Sequence, residues 1–292
     1  MSFTIVTVLH DSAPELQRLL PSLRAHLPSD IQLVAVDSGS GDDGAERARA
    51  GGAEVIVLDG NPGFGGANNA GVAAARHPVT VLLNPDCELL DSGLSELAAR
   101  AADSEALLVP RLIEADGALQ RSAHPMPGTP TALVRAALPT RALPQAHRAR
   151  RPRRVGWAIA ACLAAQTALL RRLGPFDPGA FLFYEDMDLC LRAHAAGVPT
   201  VLRPEVVVRH LGGRSTSRAF GGEAFELQAR RRREVVGARL GARALRYDDG
   251  AQALTFGLRA AVGRERGRNV AALRALRAAR RMATAAPRWR SP

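Results

Sequence analysis

The sequence contains no lysine, only three cysteines and few aromatic residues, and each shortage excludes a class of protein. Without lysine, the phosphate-binding loop that ends in Gly-Lys-Ser/Thr cannot be present. Cys87, Cys162 and Cys190 are far apart and odd in number, so they form neither a Cys-x-x-Cys pair nor a disulfide framework and favour a reducing compartment. Aromatic residues make up 4% of the 292 residues, which leaves few platforms for stacked nucleic-acid bases.

Long hydrophobic runs are also missing. Phe3–Leu9 stops at His10-Asp11 and has no basic segment before it, unlike a signal peptide. Val155–Leu170 is interrupted by Gln166 and is shorter than the roughly 20 residues that a membrane span needs. We therefore expect a cytoplasmic protein without a spanning helix.

The formal charge of +11 is concentrated at one end of the chain. Residues 214–292 have 19 arginines and 6 acidic residues, a local charge of +13, whereas residues 1–213 carry a net charge of −2. The charge therefore divides the chain into a nearly neutral body, residues 1–213, and a basic remainder. Residues 214–292 are predicted to form a basic, mainly helical extension.

Three roles for this extension remain open: adsorption to an anionic membrane surface on the inner face of the plasma membrane, contact with another subunit, or a solvated tail. In a helix near the end, Leu273 and Leu276 are expected to share a face with Arg277 and Arg280, so adsorption would depend on charge rather than on an apolar stripe. The sequence has no recognisable module for reading nucleic acid, and we expect no nucleic-acid partner.

Short apolar strands alternate with helices in the first part of the chain. Such strands indicate a mainly parallel sheet that is covered on both faces. The carboxyl ends of these strands are where such sheets bind ligands, and Asp37, Asn61–Asn69 and Asp86 fall there. The strands are predicted at Thr4–Leu9, Ile31–Val36, Glu54–Leu58 and Val79–Leu83, with Ser12 capping the first helix and a later helix at Asn68–Arg76.

The later part of the chain is less regular. Pro139–Arg154 combines prolines with arginines and predicts a mobile loop, and Val198–Leu202 and Val206–Arg209 are typical of two strands. Asp188 and Arg192 are four residues apart on a predicted helix, which favours an ion pair. The loop at Gly63–Asn68 begins like a dinucleotide-binding fingerprint but has Asn in place of its last glycine, which weakens that interpretation.

Six short segments in a fixed order resemble the inverting family-two glycosyltransferases, in particular their bacterial rhamnosyltransferase-like branch, from about Phe3 to about Ser217. The segments are Asp37-Ser38-Gly39-Ser40, Asn61-Pro62-Gly63-Phe64-Gly65-Gly66-Ala67-Asn68-Asn69-Ala70-Gly71, Leu83-Asn84-Pro85-Asp86, Gly174-Pro175-Phe176-Asp177, Phe183-Tyr184-Glu185-Asp186-Met187-Asp188-Leu189-Cys190-Leu191-Arg192 and His210-Leu211-Gly212-Gly213-Arg214-Ser215.

This resemblance implies an A-type glycosyltransferase fold, with a Rossmann-like, mainly parallel sheet, a nucleotide-diphosphate sugar donor and a divalent metal ion, Mn²⁺ or Mg²⁺. It also implies that residues 1–213 form the glycosyltransferase domain, with a nucleotide-binding half (1–110) and an acceptor and catalytic half (111–213). Asp86 matches the metal-binding aspartate of the family, although Asn84-Pro85-Asp86 stands where Asp-x-Asp is usual. His210 matches a position where some relatives supply a further ligand, and a mixed carboxylate–imidazole site suits Mn²⁺ somewhat better than Mg²⁺. A structural or acceptor-contacting role for His210 stays open.

The resemblance also implies roles for residues around the two substrates. Asp186 matches the general base that takes the proton of the acceptor hydroxyl, and Glu185 would orient the acceptor or raise the pKa of that base. For both acids, a purely structural role in the first helical turn is the alternative. The nucleotide-sugar donor is expected to contact Thr7, Asp37, Gly65, Asn68, Asn84, Asp86 and Trp157. For Trp157, contact with the acceptor and packing in the core are the alternatives.

These implications predict an inverting enzyme that moves L-rhamnose from dTDP-L-rhamnose to a lipid-linked or cell-wall glycan acceptor. One alternative is a glycosyltransferase that uses another UDP- or dTDP-sugar. A second is a non-catalytic relative that binds nucleotide sugars and lost activity with the first aspartate of Asp-x-Asp.

Overall fold

The computed structural model describes residues 1–138, 143–177, 182–212, 224–263 and 265–282, which divide into two compact units. The first unit consists of Met1–His124 and the chain from Ala146 to the last strand. The second consists of Pro125–Gln145 and the C-terminal helices. The domain boundary predicted at residue 213 lies outside the described residues, so that division stays a prediction.

Eleven strands and nine helices are found within the described residues. The strands are β1 Thr4–Leu9, β2 Gln32–Asp37, β3 Glu54–Val57, β4 Val79–Leu83, β5 Cys87–Leu89, β6 Leu107–Ile113, β7 Ala123–His124, β8 Arg153–Val155, β9 Trp157–Ala158, β10 Cys162–Gln166 and β11 Thr200–His210. The helices are α1 Ala13–His26, α2 Gly44–Ala50, α3 Gly63–Ala74, α4 Gly93–Ala102, α5 Pro130–Ala137, α6 Thr167–Leu173, α7 Glu185–Ala195, α8 Phe225–Val262 and α9 Arg266–Met282.

A nine-stranded mixed sheet forms the centre of the first unit, with the strand order β3-β2-β1-β4-β10-β6-β11-β5 and with β8 paired to β11. The first four strands in this order are parallel, as predicted, whereas β10 runs antiparallel to both β4 and β6. Residues of β1, β2 and β4 are buried throughout, which agrees with their apolar sequences. The carboxyl ends of these strands therefore meet at one edge of the sheet.

Helix α3 lies close against this sheet because small residues face it. A side chain at Gly71 would place its Cβ within 2.2 Å of Val6 Cγ1, and one at Gly65 would come within 2.9 Å of Phe176 Cβ. Gly63 begins the helix with a positive φ of 80°, a conformation that glycine adopts readily. The amino end of α3 is thereby fixed at the carboxyl edge of the sheet.

The starts of two helices differ from the predictions. Ser12 does not cap α1 through its side chain, because its hydroxyl is bonded to the backbone of His10, and Asp42 Oδ2 accepts from Ala13 N instead (2.8 Å). The prediction that Asn68 opens a helix is wrong, since α3 already begins at Gly63. Asn68 is buried inside the helix, where its Nδ2 donates to the carbonyl of Phe64 (2.9 Å).

Two expectations for the later strands are also corrected. The two strands expected between Val198 and Arg209 form the single strand β11, whose register shifts between Arg203 and Val207. An irregularity of this kind lets one strand continue past a break in the apolar pattern. The predicted loop over 139–154 is wrong at its end, where Arg153–Val155 forms β8, and residues 139–142 lie outside the described residues.

The second unit is helical, as predicted for the basic extension. Helix α8 is interrupted at Gly241, which has non-helical dihedral angles (φ 81°, ψ 174°). Its two arms fold against each other, since Arg232 and Asp248, 16 residues apart in sequence, form an ion pair of 2.7 Å. Helix α5 packs along the second arm, where Leu133 lies beside Gly250.

Helix α9 buries a different face from the one expected. Leu276 is 1% exposed and is buried together with Ala272, Ala275 and Ala279, whereas Arg277 is exposed. The expectation that Leu276 shares a face with Arg277 is therefore wrong, because the alanines and the leucine form the face that packs against α8. Within the described part of the chain, none of the helices combines the length and the apolar character that a membrane span requires.

Candidate functional site

The carboxyl ends of β1 and β2 hold a network of short polar side chains. Asp37 is buried at the end of β2, and its Oδ1 accepts from the backbone N–H (3.2 Å) and the hydroxyl of Ser40. His10 Nδ1 is 2.9 Å from the carbonyl of Ser38, and Asn61 Oδ1 accepts from Gly63 N at the start of α3 (2.8 Å). This network connects the end of the sheet to the amino end of α3, where unpaired N–H groups favour an anion.

Asp86 and His210 meet beside this edge. Asp86 follows β4, and His210 ends β11, which pairs with Cys87 at the start of β5. His210 Nε2 lies 3.3 Å from Asp86 Oδ1, and the backbone N–H of Leu211 donates to the carbonyl of Asp86 (3.0 Å). Both side chains are about nine-tenths buried. The structure thus brings together the two residues that the sequence predicts as metal ligands.

The chemistry of this pair fits a divalent cation. Asp86 Oδ1 is buried and has no hydrogen-bond partner among the described residues, although such an atom is costly to leave unpaired. Ligand atoms of Asp86, His210 and Cys87 all lie within 4.8 Å of one another. Cys87 is a poor ligand because burial raises the pKa of its thiol well above the usual value, and the thiol donates to the carbonyl of Ala161 (3.3 Å). Carboxylate and imidazole, the two remaining groups, are common ligands of divalent cations.

Asp186 lies in the first turn of α7 and is connected to this pair through the segment that joins β9 and β10. The backbone N–H groups of Met187 and Ala160 donate to its carboxylate, which favours the charged form. Burial has the larger effect and raises the pKa of Asp186 to about 6. The next residue, Ala161, accepts through its carbonyl from Asn84 N (2.8 Å). Ala160 and Ala161, which are adjacent, therefore connect Asp186 on α7 to the turn that carries Asp86.

The aromatic residues near α7 form a stacked group. Trp157 is buried, and its ring lies parallel to His124 with the ring centres 4.1 Å apart. Tyr184, which precedes α7, meets the edge of Trp157 at 6.1 Å. Glu185, the first residue of α7, is 6% exposed. Tyr184 therefore adjoins Trp157 in space and Glu185 and Asp186 in sequence.

Two other residues predicted to contact the donor lie inside secondary-structure elements. Thr7 is two residues before the end of β1 and is fully buried, on the same face of the sheet as Ile5 and Leu9 in the hydrophobic core. Asn68 lies in the second turn of α3 and not at its start. Gly65 and the half-buried Asn84 do lie at the expected edge, in the first turn of α3 and after β4. The ion pair predicted between Asp188 and Arg192 is confirmed at 2.7 Å.

Three contributors to the site are not indicated by the sequence patterns. Gln120 Oε1 is 2.8 Å from His210 Nδ1, Ala160 donates its N–H to Asp186, and Cys87 adjoins the metal-ligand pair. Gln120 lies in an irregular polar segment 90 residues before His210. Its role depends on strand pairing between β6 and β11, and a lone glutamine gives no local signal.

Comparisons with known proteins agree with the fold. A family model described as glycosyl transferase family 2 matches residues 4–151. The chain is 28% identical, over 237 residues, to the N-acetylglucosaminyl-diphospho-decaprenol L-rhamnosyltransferase of Mycobacterium tuberculosis (strain CDC 1551 / Oshkosh), covering 73% of this chain and 77% of the relative.

Solved structures show the same architecture. A mannosyltransferase from Pyrobaculum calidifontis in complex with GDP-Man and Mn²⁺ superposes with a TM-score of 0.59 and 15% identity, covering 98% of this chain and 76% of that one. GalNAc-T7 with UDP, GalNAc and Mn²⁺ gives a TM-score of 0.60 at 18% identity over 81% of this chain, which spans 47% of that chain. These likenesses confirm the predicted A-type glycosyltransferase fold. Since the family model covers about half of the sequence, the chain belongs to glycosyl transferase family 2 and is a glycosyltransferase.

Proposed function

We propose that this enzyme transfers a sugar from a nucleoside-diphosphate donor to a hydroxyl group of a lipid-linked or cell-wall glycan acceptor, with inversion at the anomeric carbon. The observation that carries this proposal is the connection of Asp186, through Ala160 and Ala161, to the turn that holds Asp86. A proton acceptor and a metal-binding carboxylate thereby adjoin the edge of the sheet where the nucleotide is expected to bind.

The donor is held by three groups in this proposal. Asp37, whose Oδ1 is engaged by Ser40, would receive the N–H of the pyrimidine base on its other oxygen. The amino end of α3, from Gly63 to Gly66, would face the diphosphate with its N–H groups, while Asn84 and Trp157 would line the sugar side. Asp86 and His210 would hold a divalent cation, Mn²⁺ or Mg²⁺. The bound cation supplies Lewis-acid neutralisation of the charge that develops on the leaving diphosphate.

Transfer follows as a single displacement. Asp186 takes the proton of the acceptor hydroxyl while the acceptor oxygen forms a bond to the anomeric carbon. The bond between that carbon and the diphosphate oxygen breaks on the opposite face, and the nucleoside diphosphate leaves with the electron pair. Glu185 would orient the acceptor beside Asp186. General-base assistance of this kind contributes about 10²–10⁴-fold to the rate.

L-Rhamnose from dTDP-L-rhamnose is the proposed donor sugar. Support comes from the mycobacterial relative, whose name specifies L-rhamnosyl transfer and N-acetylglucosaminyl-diphospho-decaprenol. At 28% identity, another UDP- or dTDP-sugar is the second candidate. The proteins in the superposed structures were crystallised with UDP and GalNAc or with GDP-Man, together with Mn²⁺.

A donor screen followed by a transfer assay tests the proposal. Thermal shift is measured with dTDP-L-rhamnose, other dTDP- and UDP-sugars, GDP-mannose and ATP, each with Mn²⁺ and with Mg²⁺, because a ligand that binds the native state raises the melting temperature. We expect dTDP-L-rhamnose to give the largest rise and to be consumed in the presence of a polyprenyl-diphosphate-linked N-acetylglucosamine acceptor. A response to ATP alone would contradict the proposal. Donor binding with neither transfer nor hydrolysis would favour the non-catalytic alternative.

A further inference from the structure

Gln120 contacts the imidazole of His210 on the side that faces away from Asp86. Its Oε1 is 2.8 Å from His210 Nδ1, while His210 Nε2 is 3.3 Å from Asp86 Oδ1. A carboxamide oxygen can only accept a hydrogen bond, so Nδ1 carries the proton. Because a neutral imidazole has a single N–H, its other nitrogen, Nε2, then carries a free lone pair 3.3 Å from Asp86 Oδ1.

The position of Gln120 is itself fixed. Its backbone N–H donates to the carbonyl of Leu112 on β6 (3.0 Å), and its own carbonyl accepts from Ser122 N (2.9 Å). Gly212, two residues after His210, has a positive φ of 55°, and a Cβ there would come within 3.2 Å of Gln120 Nε2. The backbone after β11 therefore passes close to the amide of Gln120, and only a glycine leaves this much room.

We propose that Gln120 is a positioning residue, which holds His210 in the tautomer whose Nε2 lone pair faces Asp86. The effect of Gln120 on metal binding rests on the proposed function. The tautomer of His210, in contrast, is independent of any bound metal. In that tautomer two electron-pair donors, Asp86 Oδ1 and His210 Nε2, converge, and a divalent cation can join them. In the opposite tautomer, Nε2 carries a proton in place of its lone pair and has no electron pair left for a cation.

The first test is the protonation of His210 in the metal-free protein. ¹⁵N NMR at a pH where imidazole is neutral separates protonated from unprotonated ring nitrogens. We expect the wild type to have a protonated Nδ1 and an unprotonated Nε2. Gln120→Met, which keeps the length of the side chain but has no acceptor oxygen, should shift His210 towards the Nε2–H form. Gln120→Glu retains an acceptor oxygen and should restore the wild-type spectrum.

The second test is the affinity for Mn²⁺ in the presence of a nucleoside diphosphate, measured by calorimetry. Losing the group that orients a metal-binding histidine typically weakens metal binding about 10–100-fold, and we expect a loss of that size for Gln120→Met and recovery in Gln120→Glu. In a His210→Ala background, Gln120→Met should cause no further loss. A merely structural effect of Gln120 would lower the affinity equally in both backgrounds.

The outcomes separate this inference from the proposed function. An Nε2–H tautomer in the wild type would overturn the inference, whether or not the variants fold. An unchanged spectrum in Gln120→Met, or an equal loss of Mn²⁺ affinity with and without His210, would also overturn it. If the wild type binds no Mn²⁺ while the nitrogen spectra respond as expected, the metal assignment fails and the positioning role of Gln120 stands.

Discussion

The residues that precede Asp186 have a strained backbone. Phe183 and Tyr184 have positive φ angles of 71° and 63°, which are rare for aromatic residues. Each such conformation costs on the order of 1–3 kcal/mol and persists where the surroundings impose it. Here the edge contact between Tyr184 and Trp157 lies next to the turn, and α7 begins directly after it. The strained turn places Asp186 where it accepts from the N–H of Ala160.

Asp186→Asn should abolish transfer and leave donor binding intact. The substitution removes a proton acceptor but no proposed metal ligand, so we expect kcat to fall by about 10²–10⁴-fold while the affinity for the donor nucleotide changes little. Steady-state kinetics and calorimetry on the same preparation test this. A variant that retains most of its kcat would exclude Asp186 as the base.

The raised pKa of Asp186 also predicts opposite pH dependences for activity and stability. Transfer needs the charged form, so kcat/KM should rise tenfold per pH unit below pH 6 and level off above it. The folded pKa of about 6 exceeds the ordinary value of 3.8, so this group stabilises the fold below pH 4, and that contribution is lost as the pH rises through 6. Asp186→Asn should therefore unfold at the same or a higher temperature than the wild type at pH 7. A clearly lower unfolding temperature of Asp186→Asn at pH 7 would contradict burial as the cause of the raised pKa.

Asp86→Ala should weaken the metal-dependent binding of the donor and leave the metal-free binding unchanged. Removing the carboxylate takes away the proposed anionic ligand, and His210→Ala, which removes a neutral one, should have a smaller effect. Titration of UDP or dTDP with and without Mn²⁺ measures both. The metal-free titration is the control, because loss of affinity there would indicate a misfolded pocket. Unchanged Mn²⁺-dependent affinity in Asp86→Ala would remove the metal assignment.

A single site residue can be predicted when the residues that identify it are adjacent to it in the sequence. Asp86, His210 and Asp186 lie in contiguous motifs, and the structure places the first two together and the third within one connecting segment, although their roles stay predictions. Thr7 lies in β1, whose bounds agree with the prediction, on the same face as Ile5 and Leu9 of the hydrophobic core. Asn68 was predicted from the start of a helix that begins instead at Gly63. Gln120 could not be predicted, because its contact with His210 depends on strand pairing across 90 residues.

Among the elements, the four parallel strands near the start of the chain were predicted more reliably than the other strands. The four parallel strands of the nucleotide-binding half have continuous apolar sequences, and the structure contains all of them within one residue of the expected bounds. The short strands β5, β8 and β9 have two or three residues each, too few for a periodic pattern. The antiparallel strand β10 lies within an apolar segment whose direction in the sheet no local signal gives.

Arg192 joins two helices and should be needed for stability. Its guanidinium pairs with Asp188 on α7 and donates to the carbonyls of Leu173, Gly174 and Pro175 after α6. Arg192→Leu removes all four bonds in a largely buried position, and we expect a loss of about 3–5 kcal/mol in the free energy of unfolding. Denaturant unfolding measures it.

Arg172 is a matched control for this prediction. It lies on α6 and pairs with Glu105, and both side chains are 59% exposed. Exposed pairs of this kind contribute about 0–1 kcal/mol, so Arg172→Leu should have little effect. Equal losses in Arg172→Leu and Arg192→Leu would show that the carbonyl contacts of Arg192 add nothing beyond a surface charge.

At the scale of the whole molecule, fewer arginines of the second unit are available to an outside partner than its composition indicates. Arg232 and Arg233 pair with the buried Asp248 and Asp249, and Arg280 lies 3.6 Å from Asp249. These arginines hold the arms of α8 and the helix α9 together, so they contribute to the fold of the unit. The arginines that remain for an outside partner include the exposed residues Arg246, Arg266, Arg274 and Arg277.

We predict that these exposed arginines bring the enzyme to an anionic membrane surface, where a lipid-linked acceptor would be found. Each arginine near such a surface contributes about 1 kcal/mol, and the attraction is screened over about 10 Å at 0.1 M salt. Vesicle co-sedimentation of the full chain should therefore require anionic lipid and disappear by about 0.5 M salt. Replacing Arg266, Arg274 and Arg277 by Gln should weaken binding about 10²-fold or more at low salt.

The control variant replaces three exposed arginines of the first unit, Arg18, Arg24 and Arg49, by Gln. It has the same net charge as the test variant, so a patch-specific attraction predicts that it still binds, whereas an effect of net charge alone predicts equal losses.

Exposed apolar side chains of the second unit, such as Val134 and Val262, allow a different outcome. Binding to neutral vesicles that survives high salt would show that these side chains and not the arginines attach the protein. Absence of binding to either kind of vesicle would leave the second unit as a solvated extension or a subunit contact, which sedimentation of the protein alone would separate.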